Sequence, residues 1–154
     1  MPGTRKNPSR PFVGVGAVVF KGLKILLVKR GRAPKEGEWS LPGGGQKLGE
    51  TVIQALHREI LEETGLTIKI GQLLGVVDFI EPGANPAKNA VSYHYTLIDY
   101  AADYVSGELV AMSDTADARF FSLDEALCFP LWTETKRIIQ LAAAARGLYP
   151  KDPP

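Results

Sequence analysis

Residues 43–66 read GGGQKLGETVIQALHREILEETGL, and they carry the clearest structural signal in the chain. Three glycines lead into a polar segment, residues 51–64 then have helical spacing, and Gly65 is a stop signal. The apolar stripe of this predicted helix becomes acidic in its second half. At about 100° per residue, one sector of roughly 60° holds Val52, Leu56, Glu59 and Glu63. An ordinary amphipathic helix would keep its carboxylates on the opposite face.

Three glutamates crowd the C-terminal half of this helix: Glu59, Glu62 and Glu63. Like charges one turn apart repel, and carboxylates near a helix C-terminus oppose the helix dipole. A hard divalent cation such as Mg²⁺ would offset that cost, because it prefers carboxylate, water and phosphate oxygens. The alternative is a solvated acidic face balanced by Arg58 and nearby lysines. The helix alone leaves both open, but the glycines at 43–45 favour the cation, since bare backbone can approach a metal or phosphate closely.

The rest of the chain alternates between strand and helix patterns. Apolar and β-branched runs predict strands at 13–20, 23–29, 68–80, 90–101 and 118–121. Residues 31–50 hold six glycines and two prolines, which predicts a long loop with a short strand around 39–41. The sequence then predicts a short helix that begins at Ser122 and a long helix at 132–146. We find no internal repeat or linker, and therefore predict a single α+β domain with a mixed sheet.

Composition and charge exclude several classes of protein. The chain has 154 residues, enough for one domain with its own core. Lys and Arg number 18 against 17 Asp and Glu, so bulk charge gives no reason to expect nucleic acid as a partner. The single cysteine, Cys128, excludes an internal disulfide and a cysteine-based zinc site. No apolar run approaches the roughly 18–20 residues that span a bilayer, so no membrane partner is expected.

The two ends of the chain are polar and rich in proline. Residues 1–10 lack the apolar segment of a secretory signal, which predicts a disordered N-terminal tail and a cytoplasmic location. Residues 148–154 predict a loose C-terminal tail. The folded domain is therefore expected at 11–147.

The stretch at 43–66 also resembles the signature of the Nudix hydrolases: Gly, five residues, Glu, seven residues, then Arg-Glu-aliphatic-any-Glu-Glu-any-Gly-aliphatic. Each fixed position is present, as Gly44, Glu50, Arg58, Glu59, Ile60, Glu62, Glu63, Gly65 and Leu66. The resemblance implies a Nudix-type α/β/α sandwich around a central mixed β-sheet. It also implies hydrolysis of a nucleoside diphosphate linked to another group, X, at the pyrophosphate, with Mg²⁺ or Mn²⁺.

Carried over by position, the resemblance implies a metal site on this helix. Glu59 and Glu63 would be the principal metal ligands, and Glu62 a further or water-mediated ligand. The carbonyl group of Gly43 would complete part of the metal shell.

The resemblance also implies catalytic roles around that metal site. Glu50 would lie close to the metal, and Arg58 would orient the carboxylates by charge-assisted hydrogen bonds. The base that deprotonates the attacking water is left open between Glu59 and a carboxylate on a later loop, as in several family members. Glu108 and Asp114 lie in that part of the chain, although plain loop surface is the favoured interpretation of each.

The signature leaves the group X undefined. Pro82 follows Leu66 by sixteen positions, and a proline near that spacing is associated with ADP-ribose pyrophosphatases of the family. An ADP-ribose-like nucleoside diphosphate sugar is therefore the favoured substrate. The Gly-Gln-Lys at 45–47 departs from the apolar-acidic sequence more frequent in those enzymes. Nucleoside triphosphates (oxidised ones included) and dinucleoside polyphosphates remain alternatives, as does a non-catalytic module that senses a nucleotide.

Substrate contacts are predicted from side-chain chemistry. Arg30 and Arg32 follow the second predicted strand and could hold phosphate or ribose oxygens, and Gly44 lets a phosphate approach the backbone. Aromatic faces suit nucleobases, which makes candidates of Phe12, Trp39, Phe79, Tyr93 and Tyr95. A homodimer is expected, because the family often dimerises.

Overall fold

The computed structural model describes residues 5–85, 87 and 90–148. The strands of this part of the chain are β1 (Phe12–Lys21), β2 (Lys24–Arg30), β3 (Trp39–Ser40), β4 (Gly43–Gly45), β5 (Thr67–Pro82), β6 (Val91–Ser106) and β7 (Thr115–Ser122). The helices are α1 (Val52–Thr64), α2 (Leu123–Cys128) and α3 (Thr133–Ala145). Among the described residues, none of the helices has the length and apolar character required to cross a bilayer.

The seven strands form one mixed sheet, in which five follow the order β3-β2-β1-β6-β5 and two, β4 and β7, lie off this path. The central strand β1 pairs in parallel with β6 and antiparallel with β2 and β4. β7 pairs antiparallel with β2, and β5 and β6 form a long antiparallel hairpin. The predicted α+β class and mixed sheet are confirmed.

Helices cover both sides of the sheet. Side chains alternate along β1, so that Val15, Ala17 and Val19 join the core beneath α1, whereas Val18 and Phe20 join the core beneath α2 and α3. We call these sides the α1 face and the α3 face. Each helix buries two large side chains completely (0% exposed): Leu56 and Ile60 of α1 on the α1 face, and Ile138 and Ile139 of α3 on the α3 face. The predicted α/β/α sandwich is therefore present.

Local signals set the limits of α1 within one residue of the prediction. The Thr51 hydroxyl accepts a hydrogen bond from the Gln54 N–H, and the Gln54 side chain accepts one from the Thr51 N–H. This reciprocal capping box satisfies donors that a helix start leaves unpaired. Gly65 ends the helix with a left-handed φ of 75°, and its N–H donates to the Leu61 carbonyl.

The differences from prediction lie where strand pairing overrides local preference. β4 falls inside the predicted long loop, because three glycines have little intrinsic preference for a strand. It forms because Gly43–Gly45 pair with residues 14–16 of β1. β5, β6 and β7 are each longer than predicted, since the pairing of β5 with β6 and of β7 with β2 continues beyond the apolar runs.

Residues 5–10 precede β1 without forming a helix or strand. The Asn7 N–H donates to the Ser92 carbonyl at 2.8 Å, and the Arg5 guanidinium lies over the rings of Phe12 and Tyr95. This part of the predicted disordered tail therefore contacts the domain. Residues 1–4 and 149–154 of the two predicted tails lie outside the described residues, and the limits 11–147 stay a prediction.

Candidate active site

Arg58 is the centre of a hydrogen-bonded carboxylate cluster at the C-terminal half of α1. Its Nε and Nη2 donate to the two carboxylate oxygens of Glu50 at 2.6 and 2.8 Å, a bidentate pair. Nη1 donates to Glu59 at 2.9 Å and to Glu62 at 3.2 Å, and Nη2 also donates to the Gly45 carbonyl at 2.9 Å. One guanidinium thus ties three glutamates to β4.

These contacts hold the Arg58–Glu50 pair in its ionised form. Hydrogen bonds from Arg58 lower the pKa of Glu50 to about 2. The bonds to Glu50 in turn raise the pKa of Arg58 above its ordinary value. Glu50 therefore serves mainly to fix Arg58, which then reaches the other carboxylates.

Glu63 lies one helical turn beyond Glu59 and is held by the backbone of β4. The Gly43 N–H donates to its carboxylate at 2.8 Å. Burial raises the pKa of Glu63 to about 7, the nearby charge of Glu59 adds to the rise, and the Gly43 hydrogen bond and Arg30 oppose it. Removed from water in this way, the carboxylate favours a partner of positive charge.

Two glycines of β4 are required for different reasons. A Cβ on Gly44 would overlap the carboxylate of Glu59, so the bare backbone makes room for the Glu59 side chain. Gly43 has a φ of 153°, and a Cβ there would collide with the Val15 carbonyl oxygen of β1.

Burial raises the pKa of Glu59, and the hydrogen bond that Glu59 accepts from Arg58 opposes that rise.

The carboxylate cluster suits a divalent cation that takes part of its shell from the protein. Within residues 5–85, 87 and 90–148, no three His, Cys, Asp or Glu side chains form a ready-made metal cage. Mg²⁺ needs none, because one or two carboxylates plus waters and substrate phosphates usually complete its octahedron. Glu59 and Glu63 are such a pair, since they are partly buried and close enough to repel. The Glu62 side chain is 47% exposed. Gly43 contacts Glu63 through its N–H group, so the role of the Gly43 carbonyl as a metal ligand stays a prediction.

The loop between β6 and β7 packs on the C-terminal end of α1. The N–H groups of Val110 and Met112 donate to the carbonyls of Thr64 and Glu63, at 3.1 and 2.9 Å. They satisfy two of the acceptors that a helix end leaves without intrahelical partners. The loop is therefore joined directly to the backbone of a proposed metal-ligand residue.

Two carboxylates of this loop are the predicted candidates for the general base. Asp114 is close enough to Glu63 for its charge to raise the pKa of that carboxyl, and it forms an exposed ion pair with Arg32 at 3.3 Å. Glu108 lies beside Gly65 at the end of α1, where its carbonyl oxygen would be 3.1 Å from a Cβ on that glycine. The structure therefore brings Asp114 nearer to the carboxylate cluster.

The predicted phosphate-binding arginines are both engaged with the protein. The Arg30 Nε donates to the Pro34 carbonyl at 2.6 Å, and its charge lowers the pKa of Glu63, which places it at the edge of the cluster. Arg32 is turned towards Asp114. Of the two, Arg30 is the better placed for a substrate bound at Glu63.

Trp39 lies in an aromatic cluster of the α3-face core. Its ring makes edge contacts with Phe121 and Phe129, with centroids 5.5 and 5.8 Å apart, and Arg119 lies 4.8 Å from the Trp39 ring. These contacts favour a packing role for Trp39 over the predicted contact with substrate.

The other predicted wall residues form an aromatic row on the α3 face. The ring centroids of Phe12 and Tyr95 are 6.2 Å apart, and those of Tyr95 and Phe79 are 6.5 Å apart. Trp132 continues the row at 5.6 Å from Phe79. Tyr93 lies two residues before Tyr95 on β6, opposite Glu81 of β5. The row lies beside β1, the strand that pairs with Gly43–Gly45, and Phe79 within it is 9% exposed.

Sequence reasoning missed three residues of this region. The Arg5 guanidinium carbon is 5.4 and 5.8 Å from the first two ring centroids of the row, and the Lys35 Nζ is 5.1 and 4.4 Å from the last two. Trp132 has the spacing of a core residue in α3, and nothing in the local sequence marks Arg5 or Lys35. Arg5 and Lys35 contact aromatic rings that are distant from them in the sequence, so these contacts are seen only in the three-dimensional structure.

Comparison with known proteins adds to this geometry. An ADP-ribose pyrophosphatase from Methanocaldococcus jannaschii is 42% identical over 114 residues, which cover 74% of this chain and 63% of that protein. The NAD-capped RNA hydrolase NudC from Haemophilus influenzae is 36% identical over 112 residues, which cover 71% of this chain and 38% of NudC. The chain thus spans less than two thirds of the length of these two relatives.

Similarity to a solved structure extends over most of the fold. The crystal structure of a MutT NUDIX hydrolase from Burkholderia pseudomallei superposes with a TM-score of 0.72 and 36% sequence identity, covering 86% of this chain and 98% of that one. The profile of the NUDIX domain matches residues 10–142. The resemblance noted in the sequence is confirmed, and the chain belongs to the Nudix family.

Proposed function

We propose that this protein is a Mg²⁺- or Mn²⁺-dependent Nudix pyrophosphohydrolase that cleaves the diphosphate of a nucleoside diphosphate linked to another group. One observation carries the proposal. Glu59 and Glu63 are partly buried side by side against the bare strand Gly43–Gly45, next to the bidentate Arg58–Glu50 pair. A metal and a diphosphate are the partners that would make this arrangement favourable.

Each residue of the cluster has a distinct task in the proposed reaction. Glu59 and Glu63 would hold the cation, with Glu62 reaching it directly or through water. Arg58, fixed by Glu50, orients Glu59 and Glu62 by charge-assisted hydrogen bonds. A bound Mg²⁺ would neutralise the diphosphate and lower the pKa of the attacking water.

The general base is proposed among the carboxylates next to this cluster. Glu59 is already in the cluster, and the charge of Asp114 in the β6–β7 loop contributes to the raised pKa of Glu63. Glu108 has no comparable relation to the cluster among the contacts shown. The placement therefore supports Glu59 or Asp114 as the group that accepts the proton of the water.

An ADP-ribose-like nucleoside diphosphate sugar is the favoured substrate. The relative named ADP-ribose pyrophosphatase supports this, as does the spacing of Pro82 from the signature. Pro82 ends β5, and its carbonyl accepts a hydrogen bond from the Ser92 hydroxyl at 3.0 Å. The relative named NAD-capped RNA hydrolase makes NAD-type dinucleotides a reasonable second member of the substrate panel.

The proposal extends to the assembly and location of the protein. We expect a homodimer, and the exposed apolar side chains Leu73, Val76 and Ile80 on the edge strand β5 are compatible with a subunit contact. The cytoplasmic location stays a prediction.

A nucleotide panel tests the proposed activity. The purified protein is incubated with ADP-ribose, NADH, diadenosine polyphosphates, nucleoside triphosphates and an oxidised triphosphate, each with Mg²⁺, with Mn²⁺ and with EDTA. Products are separated by chromatography. We expect metal-dependent cleavage, fastest with ADP-ribose, that stops in EDTA. Binding of a nucleotide without any turnover would instead support the non-catalytic sensing module.

A further inference from the structure

The loop between β2 and β3, residues 31–38, meets the β6–β7 loop at Asp114; we call it the β2–β3 loop. The Gly31 N–H donates to the Asp114 carbonyl at 2.8 Å. A Cβ on Gly31 would lie 2.7 Å from that carbonyl oxygen, so any larger residue would force the two backbones apart. The Arg32 Nε lies 3.3 Å from the Asp114 carboxylate. Two consecutive residues thus contact both the backbone and the side chain of Asp114.

On its other side, Asp114 is tied to the end of α1. The Met112 N–H donates to the Glu63 carbonyl at 2.9 Å. The Thr115 N–H donates to the Met112 carbonyl at 3.1 Å, which closes a turn around Asp114. Asp114 therefore lies in a closed turn that is hydrogen-bonded to the backbone of a proposed metal ligand on one side and to the β2–β3 loop on the other.

The β2–β3 loop is itself fixed at both ends. The Arg30 N–H donates to the Glu38 carbonyl at 2.9 Å, and the Gly37 N–H donates to the Arg30 carbonyl at 2.8 Å, which closes the base of the loop. The Lys35 Nζ lies 4.4 Å from the centroid of the Trp132 ring, so the tip of the loop rests on the aromatic row. Because the loop is held in this way, its contacts limit the positions that Asp114 can take.

The Arg32–Asp114 ion pair adds little to the stability of the fold. Both side chains are more than half exposed, at 59% and 53%, and exposed pairs of this kind are screened by water. The pair does fix the direction of the Asp114 carboxylate, because a guanidinium holds a carboxylate oxygen in a defined place. Direction is important beside a reaction centre, where a misplacement of about 1 Å can lower the rate by about 100-fold.

We propose that Gly31 and Arg32 are positioning residues that hold the Asp114 carboxylate beside the carboxylate cluster, where it acts as the general base. An Asp114 oxygen takes a proton from the attacking water, the water oxygen bonds to a phosphorus of the diphosphate, and the bridging P–O bond breaks to give two phosphate-bearing products. The proposal rests on the proposed hydrolase function. It selects Asp114 over Glu59 as the base, and it assigns Arg32 to Asp114 in place of the phosphate contact predicted from the sequence.

Four variants of the full-length protein test the proposal: Asp114→Asn, Arg32→Ala, Arg32→Lys and the double variant Arg32→Ala/Asp114→Asn. Steady-state kinetics use ADP-ribose with Mg²⁺, or the nucleotide of the panel that is cleaved fastest. We expect Asp114→Asn to lower kcat by about 100-fold or more, the range of a lost general base. Arg32→Ala should lower kcat by about tenfold with KM within about twofold of wild type, and Arg32→Lys should recover part of that loss.

The double variant shows whether Arg32 acts through Asp114. If it does, Arg32→Ala causes no further loss in the Asp114→Asn background, so the double variant has the kcat of Asp114→Asn alone. Losses that multiply would show that the two residues act independently and would overturn the proposal. A rise in KM for Arg32→Ala at unchanged kcat would also overturn it, because Arg32 would then contact the substrate itself.

The matched controls are Arg119→Ala and Asp117→Asn, which separate an ion pair of similar exposure on β7, 56% and 50%. Each control should keep kcat within about twofold of wild type. A loss in the controls equal to that in Arg32→Ala would show that any exposed ion pair of this sheet has the same effect, and the role given to Arg32 would fall.

Gly31→Ala tests the backbone contact. We expect kcat to fall by about tenfold or more, since the added Cβ pushes Asp114 away from its place. The control is Gly71→Ala, where a Cβ would have an ordinary contact at 3.5 Å, and it should stay near wild type. Thermal unfolding shows whether both glycine variants are folded, and the Arg32 variants decide the proposal if Gly31→Ala is not. A folded Gly31→Ala protein with wild-type kcat would contradict the positioning role of Gly31.

Failure of this proposal can be told apart from failure of the proposed function. A wild-type protein that cleaves no nucleotide would remove the hydrolase function itself. An active wild type with near-normal kcat in Asp114→Asn would remove this proposal alone, and Glu59 would then stay as the candidate base.

Discussion

Both faces of the sheet bury carboxylates, but the groups that surround these carboxylates differ between the α1 face and the α3 face. On the α1 face, Arg58 donates to Glu59 and the Gly43 N–H donates to Glu63. On the α3 face, Asp99 of β6 is 7% exposed, and burial raises its pKa to about 6. A group of carboxylates held by shared donors is arranged to receive a ligand, whereas a single buried carboxyl mainly adds a cost to folding.

The surroundings of Asp99 make this contrast concrete. It lies opposite Gly16 of β1 and Gly75 of β5, and a Cβ on Gly16 would come within 2.6 Å of its carboxylate oxygen. Arg137 of α3 opposes the rise in its pKa by Coulomb attraction. Gly16 therefore leaves room for this carboxyl, which in the described part of the chain lacks the hydrogen-bond donors that the α1 face supplies.

The largest expected effect comes from neutralising Glu63. Glu63→Gln keeps the shape and can still accept from the Gly43 N–H, but loses the charge that would bind a cation. We expect turnover to fall by about 1,000-fold or more, since a bound metal supplies several kcal/mol of transition-state stabilisation. Thermal unfolding should be unchanged or occur at higher temperature, because a desolvated charge is removed.

The control for Glu63→Gln is Glu134→Gln, the same change at an exposed position of α3. Turnover of each variant is measured with saturating Mg²⁺ and the fastest substrate of the panel. Near-normal turnover in Glu63→Gln, alongside an intact fold, would remove the metal-ligand assignment and with it the contrast between the two faces.

A smaller effect, on stability, is expected at Asp99. Because its folded-state pKa is raised from 3.8 to about 6, the folded protein binds this proton more tightly than the unfolded chain does. Its contribution to the free energy of unfolding therefore falls as pH rises from about 4 to 6. Asp99→Asn should be more stable than wild type by up to about 3 kcal/mol at a pH near 8, and the gain should vanish below about pH 4.

Urea unfolding at several pH values measures this gain. Asp103→Asn is the matched control on the same strand, where the carboxylate is half-exposed and pairs with Arg146 at 2.6 Å. That control should lose no more than about 1 kcal/mol at neutral pH. A wild-type protein as stable as Asp99→Asn at high pH would show that Asp99 is compensated as well as the carboxylates of the α1 face.

The smallest effects are expected from adding one methyl group at neighbouring positions of β4. Gly43→Ala forces a Cβ against the Val15 backbone at a left-handed φ, so we expect a loss of about 2 kcal/mol in the free energy of unfolding. Gly44→Ala meets the movable end of the Glu59 side chain, so we expect a loss below about 1 kcal/mol together with reduced turnover. Equal destabilisation in urea unfolding would contradict the separate roles given to these two glycines.

Elements with local signals could be predicted from the sequence. The Thr51 cap, the Gly65 stop and the helical spacing between them define α1, and the full Nudix signature identifies the family. The strands at the centre of the sheet could be predicted because their side chains are buried on both faces and form continuous apolar runs.

Features that depend on distant contacts could not be predicted. β4 has no strand-forming side chains and exists because β1 pairs with it. Arg5 lies in a polar, proline-rich segment, so composition alone favours disorder, and its neighbours Phe12 and Tyr95 come from two different strands. Asp114 and Glu108 are indistinguishable in the sequence, since distance to Glu63 depends on how the loop docks on α1.

That docking has a consequence for protein engineering. The amide groups of Val110 and Met112 fasten the β6–β7 loop to the last carbonyls of α1, including that of Glu63. A chimaera that exchanges residues 107–114 for the loop of a relative therefore alters hydrogen bonds to the end of α1 as well as a surface segment. Loop grafts that keep two donors at these positions should preserve the end of α1 that carries the proposed metal ligand Glu63, and longer insertions belong before Val110 or after Met112.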